Sequence, residues 1–191
     1  MFLSMALAIM SLTTVSCNDD DVMDEPEQPV NKESKYIVDE HGDVTPKTIQ
    51  PMSVEEFQQS IVGSALVFSK CYVIDKDGAI DYASTQYIVP DILVQNDSIT
   101  YYPPMTQQHR YKKSIYTYSD NILYYGAQKD VEFKIVSFDN NELVVLDGRY
   151  NLEITYKCLK GDDLETFIYQ RKDYEPAPMT NIYPSIFYTK N

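Results

Sequence analysis

The chain has 191 residues and a formal net charge of −13, enough for one domain with tails and a core that needs no covalent staples. That acidity excludes a nucleic-acid binder, which needs a basic stripe to meet phosphate; His109-Arg110 beside Lys112-Lys113 reads only as an exposed strand entry. The 17 tyrosines, 7 phenylalanines and absent tryptophan suit half-buried strands, in which the ring packs while the hydroxyl reaches water.

Residues 2–16 are apolar, from Phe2 through Leu7 and Ile9 to Val15. The run is too short to span a membrane and has the length of a signal-peptide core. It ends Thr13-Thr14-Val15-Ser16-Cys17, small residues and then a cysteine, which resembles the lipobox of bacterial lipoproteins. Thr14 stands where that pattern usually has Leu, and no Lys or Arg precedes the run, so the natural start is expected to lie upstream of Met1. The resemblance implies a signal peptide over 1–17 and acylation of Cys17, whose two or three chains anchor stably where one chain does not. Behind it, Asn18-Asp19-Asp20-Asp21 resembles the acidic signal that sends Bacteroidetes lipoproteins to the outer face of the outer membrane. A periplasm-facing tether is the alternative, and a solvated linker is the plainer reading of the acidic run.

Residues 18–50 are polar, with Pro26, Pro29 and Pro46, and six carboxylates without a cation between Asn18 and Glu27. They read as a flexible acidic stalk, in which Lys35-Tyr36-Ile37-Val38 could add a short strand. Residues 53–62 form the expected helix. Ser53 and Glu56 have capping-box spacing, Met52 and Phe57 fit a hydrophobic staple, and Gly63 suits the C′ position. Phe57 and Ile61 would pack on the domain, with the helix as a plug.

Strands are expected at 66–74, 80–88, 92–95, 98–102, 111–118 and 122–125. The clearest run follows at 131–171: Val131, Phe133 and Ile135 alternate with Glu132 and Lys134, then 143–146 is apolar, and Leu152, Ile154, Tyr156 and Cys158 alternate with Glu153, Thr155 and Lys157. After Lys160-Gly161-Asp162, 164–171 reads as a further strand. Period-2 alternation between turns such as Asp77-Gly78, Asn96-Asp97, Asp120-Asn121, Asn140-Asn141 and Asp147-Gly148 marks antiparallel strands with one face buried. The fold class is therefore all-β: an antiparallel meander of about ten strands over 51–173 that closes into a β-barrel and so removes its edges, with one short N-terminal helix. The tail at 174–191 is apolar enough, through Tyr183, Ile186, Phe187 and Tyr188, to pack on the barrel.

Three stretches are similar to the lipocalin-like surface lipoproteins of Bacteroidetes. These are Glu56-Phe57 through Ile61-Val62-Gly63, the first strand running to Asp75-x-Asp77-Gly78, and Phe133-Lys134-Ile135 through Asn141-x-Leu143-Val144. The resemblance covers 53–171 and implies a lipocalin-like barrel without carrying a ligand. Ala65-Leu66-Val67 stands where that family often has a Trp.

Catalytic chemistry has little to rest on. No GxSxG, HExxH, P-loop or GxGxxG occurs. His41 falls in the stalk and His109 in a loop with no serine on a sharp turn nearby. Asp75, Asp77, Asp81 and Glu142 could meet as a carboxylate pair only through the fold, and most sit where Asp serves a turn. Asp75-Lys76-Asp77-Gly78 lacks the spacing of a calcium loop. Cys71 and Cys158 are expected to point inward, as buried thiols rather than a disulfide, and a metal site on them lacks a CxxC or a neighbouring His. Asp97-Ser98-Ile99 resembles a Bacteroidetes O-glycosylation acceptor, though a hairpin turn explains it equally well. The expectation is a non-enzymatic protein without cofactor or metal, membrane-tethered through Cys17. It would hold a small apolar or amphipathic molecule in its barrel, with an unknown ligand set. The alternative is a filled barrel whose tyrosine-rich surface contacts a protein or glycan.

Overall fold

The computed structural model describes residues 34–82, 87–102, 109–126, 131–177 and 187–188. The apolar run and Cys17 lie outside the described residues. Strands β1 (Tyr36–Val38) and β2 (Val44–Pro46) form an antiparallel hairpin, so the stalk expected over 18–50 ends earlier than its composition suggests. Tyr36 and Val44 share one buried face and pack on Ile74 and Leu146. Apolar side chains placed two apart are enough to dock a short hairpin once a barrel wall is there to receive it. The Tyr36 N–H donates to Gly78 O at 3.1 Å, and Gly78 sits at φ +74°, where a Cβ would meet Tyr36 O at 2.1 Å. Inside this contact the Tyr36 hydroxyl donates to the Glu153 carboxylate. Glu153 and Thr155, expected on the wet face, are both buried at 6% exposure; for Glu153 the cover is Tyr36. Tyr36→Phe would leave that carboxylate buried without its donor, so a loss of about 1–3 kcal/mol is expected in a urea titration.

Helix α1 (Val54–Ser60) begins at the capping box: Glu56 N–H donates to Ser53 Oγ at 3.1 Å, and Ser53 N–H to Glu56 Oε2 at 2.7 Å. The helix is capped at Ile61, so Gly63 falls at C″ rather than C′. It takes φ +73° and turns its N–H to Val94 O at 2.8 Å.

The strands follow in chain order: β3 (Ser64–Ile74), β4 (Ile80–Tyr82), β5 (Tyr87–Ile88), β6 (Asp91–Val94), β7 (Ser98–Tyr102), β8 (Arg110–Ser119), β9 (Ile122–Tyr125), β10 (Val131–Asp139), β11 (Glu142–Asp147) and β12 (Leu152–Leu159). Strands β6 to β12 are a meander of neighbours, and β3 closes it by pairing with β12 on one side and β6 on the other. The result is an eight-stranded antiparallel lipocalin-like barrel. It has two fewer strands than the expected ten: among its described residues 80–88 gives β4, an extension on the end of β3, and β5, which pairs outside the barrel, and 164–170 is helical. Two tight turns carry the hairpin chemistry read from the sequence. Asp120-Asn121 (φ 52° and 62°) and Asn140-Asn141 (φ 49° and 61°) are both left-handed throughout, the conformation that matches strand twist. Inward residues Leu66, Ile92, Ile99, Leu123, Phe133, Ile135, Leu143, Leu152, Ile154 and Tyr156 are all fully buried.

The strand expected over 164–171 is instead helix α2 (Gly161–Gln170). Leu164, Phe167 and Ile168 have helical spacing, and Asp162 and Asp163 sit in the first turn, where the helix dipole favours them. The topological reason is that β12 already pairs with β3, so a strand continuing the meander would find no free edge beside β12. After α2, β13 (Glu175–Pro176) pairs in parallel with β8, and β14 (Phe187–Tyr188) pairs with β5. No helix among the described residues is long and apolar enough to cross a membrane.

Candidate functional site

The barrel's two ends differ. At one end the 120–121 turn holds the segment leading into α1: Met52 N–H donates to Asn121 Oδ1 at 2.9 Å, and Asn121 Nδ2 to Gln50 O at 2.9 Å. The Tyr118 hydroxyl donates to Met52 O at 2.7 Å, and Lys160 Nζ to Gln59 O at 2.6 Å. Phe57 and Ile61, at 1% and 0% exposure, enter the interior core, so α1 plugs this end. A groove beside it, between Met52, Glu56, Ser60 and Phe138, has a volume of about 100 Å³, room for a few waters only.

Toward the other end the interior turns polar. Asp147 follows Leu143 and Val145 on the inner face of β11 and is fully buried. Arg149 returns over the turn to grip it, with Nε to Oδ1 at 3.0 Å and Nη2 to Oδ2 at 2.8 Å. Burial alone would lower the Arg149 pKa, but these bonds and the carboxylate charge raise it. Cys71 lies near, its thiol pushed up to about 12 by burial and then by Asp147. Tyr101, Tyr125, Phe133 and Tyr156 form a chain of rings across the interior, with centroids 6.1, 5.4 and 6.3 Å apart. The Tyr156 phenol is held well above its ordinary value by burial, with Tyr125, Asp91, Cys71 and Asp147 adding to the rise.

Among the described residues the barrel wall has a gap in its ladder on one side, over Val67–Cys71 of β3, before β3 pairs with β4 from Tyr72. Strands β3 and β6 pair only from Ser64↔Val94 to Leu66↔Ile92; beyond that they part. Asp91 stands at the parting, where its Oδ1 accepts from Phe68 N–H at 2.9 Å and its Oδ2 takes Arg171 Nη2 from the end of α2. Arg171 also lies over the Phe167 ring at 3.6 Å and near Tyr102 at 5.5 Å. Above this seam the inward residues of β3, Phe68, Cys71 and Val73, stay only half-buried although their β12 partners Tyr156, Ile154 and Leu152 are fully buried.

The residues singled out in the sequence scatter. His41 lies exposed in the hairpin turn, 3.6 Å from Glu40, and His109 is exposed against Tyr174. Asp75 Oδ1 accepts from Asp77 N–H and Ala79 N–H at 2.9 and 2.8 Å, a turn-forming role. Ser98 is buried at the start of β7 and donates its hydroxyl to Asp97, so the acceptor-like tripeptide runs from the hairpin turn into a strand. Among the described residues no group of three or more His, Cys, Asp or Glu is placed to hold a metal. Both thiols are free. Cys71 faces Ile154 and Cys158 faces Leu66, which separates them by roughly 13 Å along the strands, beyond disulfide reach. A bulge at this pairing also puts Val67, opposite Lys157, off the Cys71 face that simple alternation assigns to it. Burial raises both thiol pKa values. A native Cys17→Ala chain at pH 8 is therefore expected to alkylate at these two positions many times more slowly than the urea-unfolded chain, as mass spectrometry of quenched samples would show.

Sequence reading missed Asp147, Arg149 and the Asp91–Arg171 pair. The first was legible in principle, because extending the Leu143, Val145 alternation by one step places Asp147 inward. The pair was not, since it joins residues eighty positions apart. Compared with known proteins, the chain matches no family model, no curated protein and no solved structure.

Proposed function

We propose that the chain is a non-enzymatic binding protein of the lipocalin-like lipoprotein type, tethered to the outer membrane through Cys17 and facing the cell surface. Its barrel would hold a small apolar or amphipathic molecule. The observation that carries this reading is the half-buried apolar wall of Phe68, Cys71 and Val73, which runs from the gap between β3 and β6 to the start of the β3–β4 pairing, beside an otherwise closed core. Apolar groups left uncovered inside a concave wall are the usual lining of small-molecule sites. Native mass spectrometry of the chain isolated from its membrane, followed by organic extraction, is expected to release a bound species; repeated recovery of empty protein would overturn the reading. For the tether, metabolic labelling with a fatty-acid analogue is expected to disappear in Cys17→Ala, and labelling that persists there would sink the lipobox assignment.

A second reading, an interaction module with a filled barrel, is favoured by the fully buried middle of the interior. Ile115, Tyr169 and Ile37, at 68%, 67% and 57% exposure, would then supply contact points on the outer surface. Substituting these three with Ser would leave a barrel ligand bound and remove a surface partner.

A further inference from the structure

Two buried polar atoms among the described residues have no hydrogen-bond partner: Tyr156 Oη and Arg171 Nε. Buried polar groups are rarely left so, and each exception asks for a reason. Here both belong to one place. Tyr156 pairs with Phe68 across β12 and β3; the Phe68 N–H is held by Asp91; and Asp91 is held by Arg171. Asp91 is thus common to both: its charge reaches the buried Tyr156 phenol, and its Oδ2 takes Arg171 from the end of α2.

The seam is also where the backbone ladder fails. From Leu66 onward no strand pairing ties β3 to β6, and the Asp91 carboxylate, with one backbone N–H and one guanidinium, does the closing. A wall closed by side chains opens at the expense of a few hydrogen bonds, whereas a laddered wall must lose a cooperative row.

Resting on the binding function proposed above, we infer that this seam is the polar end of the ligand site. It takes an uncharged head that both donates and accepts hydrogen bonds, a hydroxyl above all, on an apolar chain lying along Phe68, Cys71 and Val73. The charges select the head. Asp91 and Arg171 already neutralise each other, as do Asp147 and Arg149. An anionic head would face the Asp91 carboxylate, a cationic head the Arg171 guanidinium, and either would be stripped of water in doing so. A hydroxyl instead accepts from Tyr156 Oη or Arg171 Nε and donates to a free lone pair of Asp91, leaving every charge paired.

The test uses the full Cys17→Ala chain and three probes of equal chain length: 1-monolaurin, laurate and dodecylamine. Binding is read by titration calorimetry. Monolaurin is expected to bind about tenfold or more tighter than either charged probe. Tyr156→Phe, which removes only the orphan hydroxyl and keeps the ring, is expected to weaken monolaurin about threefold to tenfold and to leave the charged probes unchanged. Val73→Arg sets the background from the apolar residues 2–16. Binding without preference among the heads, or monolaurin binding unaltered in Tyr156→Phe, overturns the seam assignment while the binding function stands. No binding of any probe above the Val73→Arg background counts against the binding function itself.

Discussion

Phe133→Ala is expected to lower the unfolding free energy by about 3–5 kcal/mol, the range for emptying a large aromatic from a core. Phe133 is 1% exposed and sits edge-on to Tyr125, with centroids 5.4 Å apart and planes at 75°. Its other neighbour in the ring chain, Tyr156, is itself fully buried. The walls around it are fixed by ladders on both sides, Phe133↔Leu123 and Phe133↔Asp147. A barrel so tied cannot collapse into the gap, which places the cost toward the upper part of the range. Ile154→Ala, in the same interior, is expected to cost about 2–5 kcal/mol. Glu132→Ala, one residue along from Phe133 but exposed, should stay within about 0.5 kcal/mol. A urea titration reads all three, and equal losses at Phe133 and Glu132 would mean the inner face is wrongly placed.

How much of this was legible depends on the kind of signal each residue carries. Strands whose inner and outer faces differ were readable, because the pleat writes itself as alternation: Val131, Phe133 and Ile135 point in as their spacing predicts. The capping box was readable because Ser53 and Glu56 lie within one turn of each other. Of the hairpin at 36–46 the first strand showed in Tyr36-Ile37-Val38 but its partner at 44–46 did not, since such three-residue strands are stable only against a wall formed more than a hundred residues later. Segment 164–171 misled because its apolar residues fit both a strand and a helix, and the arbiter was that β3 already occupied the edge beside β12. The seam illustrates the limit most clearly. Asp91 looks like any residue before a strand, Arg171 like any cation after one, and only the fold makes them partners.

The plug offers the second large effect. Phe57 is 1% exposed and stacks on Tyr118, with ring centroids 4.0 Å apart and planes at 10°, while Tyr116 stands 6.0 Å away. It is the one fully enclosed aromatic of a helix that otherwise presents Glu55, Glu56, Gln58 and Gln59 to water. Removing it leaves a seven-residue helix with little to dock by, too short to persist on its own propensity. Phe57→Ala is therefore expected to cost about 3–5 kcal/mol while the strand signal in circular dichroism stays the same, because the barrel ladders do not pass through α1. Ser53→Ala removes only the cap and should cost about 1 kcal/mol. Hydrogen exchange separates docking from mere helix content. In the wild-type chain the amide of Ile61, bonded to Phe57 O at 2.8 Å beneath the buried Phe57 ring, should exchange slowly, and in Phe57→Ala it should exchange at nearly the rate of an unstructured amide. Fast exchange at Ile61 in the wild type would mean that the closed end is open in solution. The polar contacts of Asn121 and Lys160 would then hold a segment that does not seal the barrel.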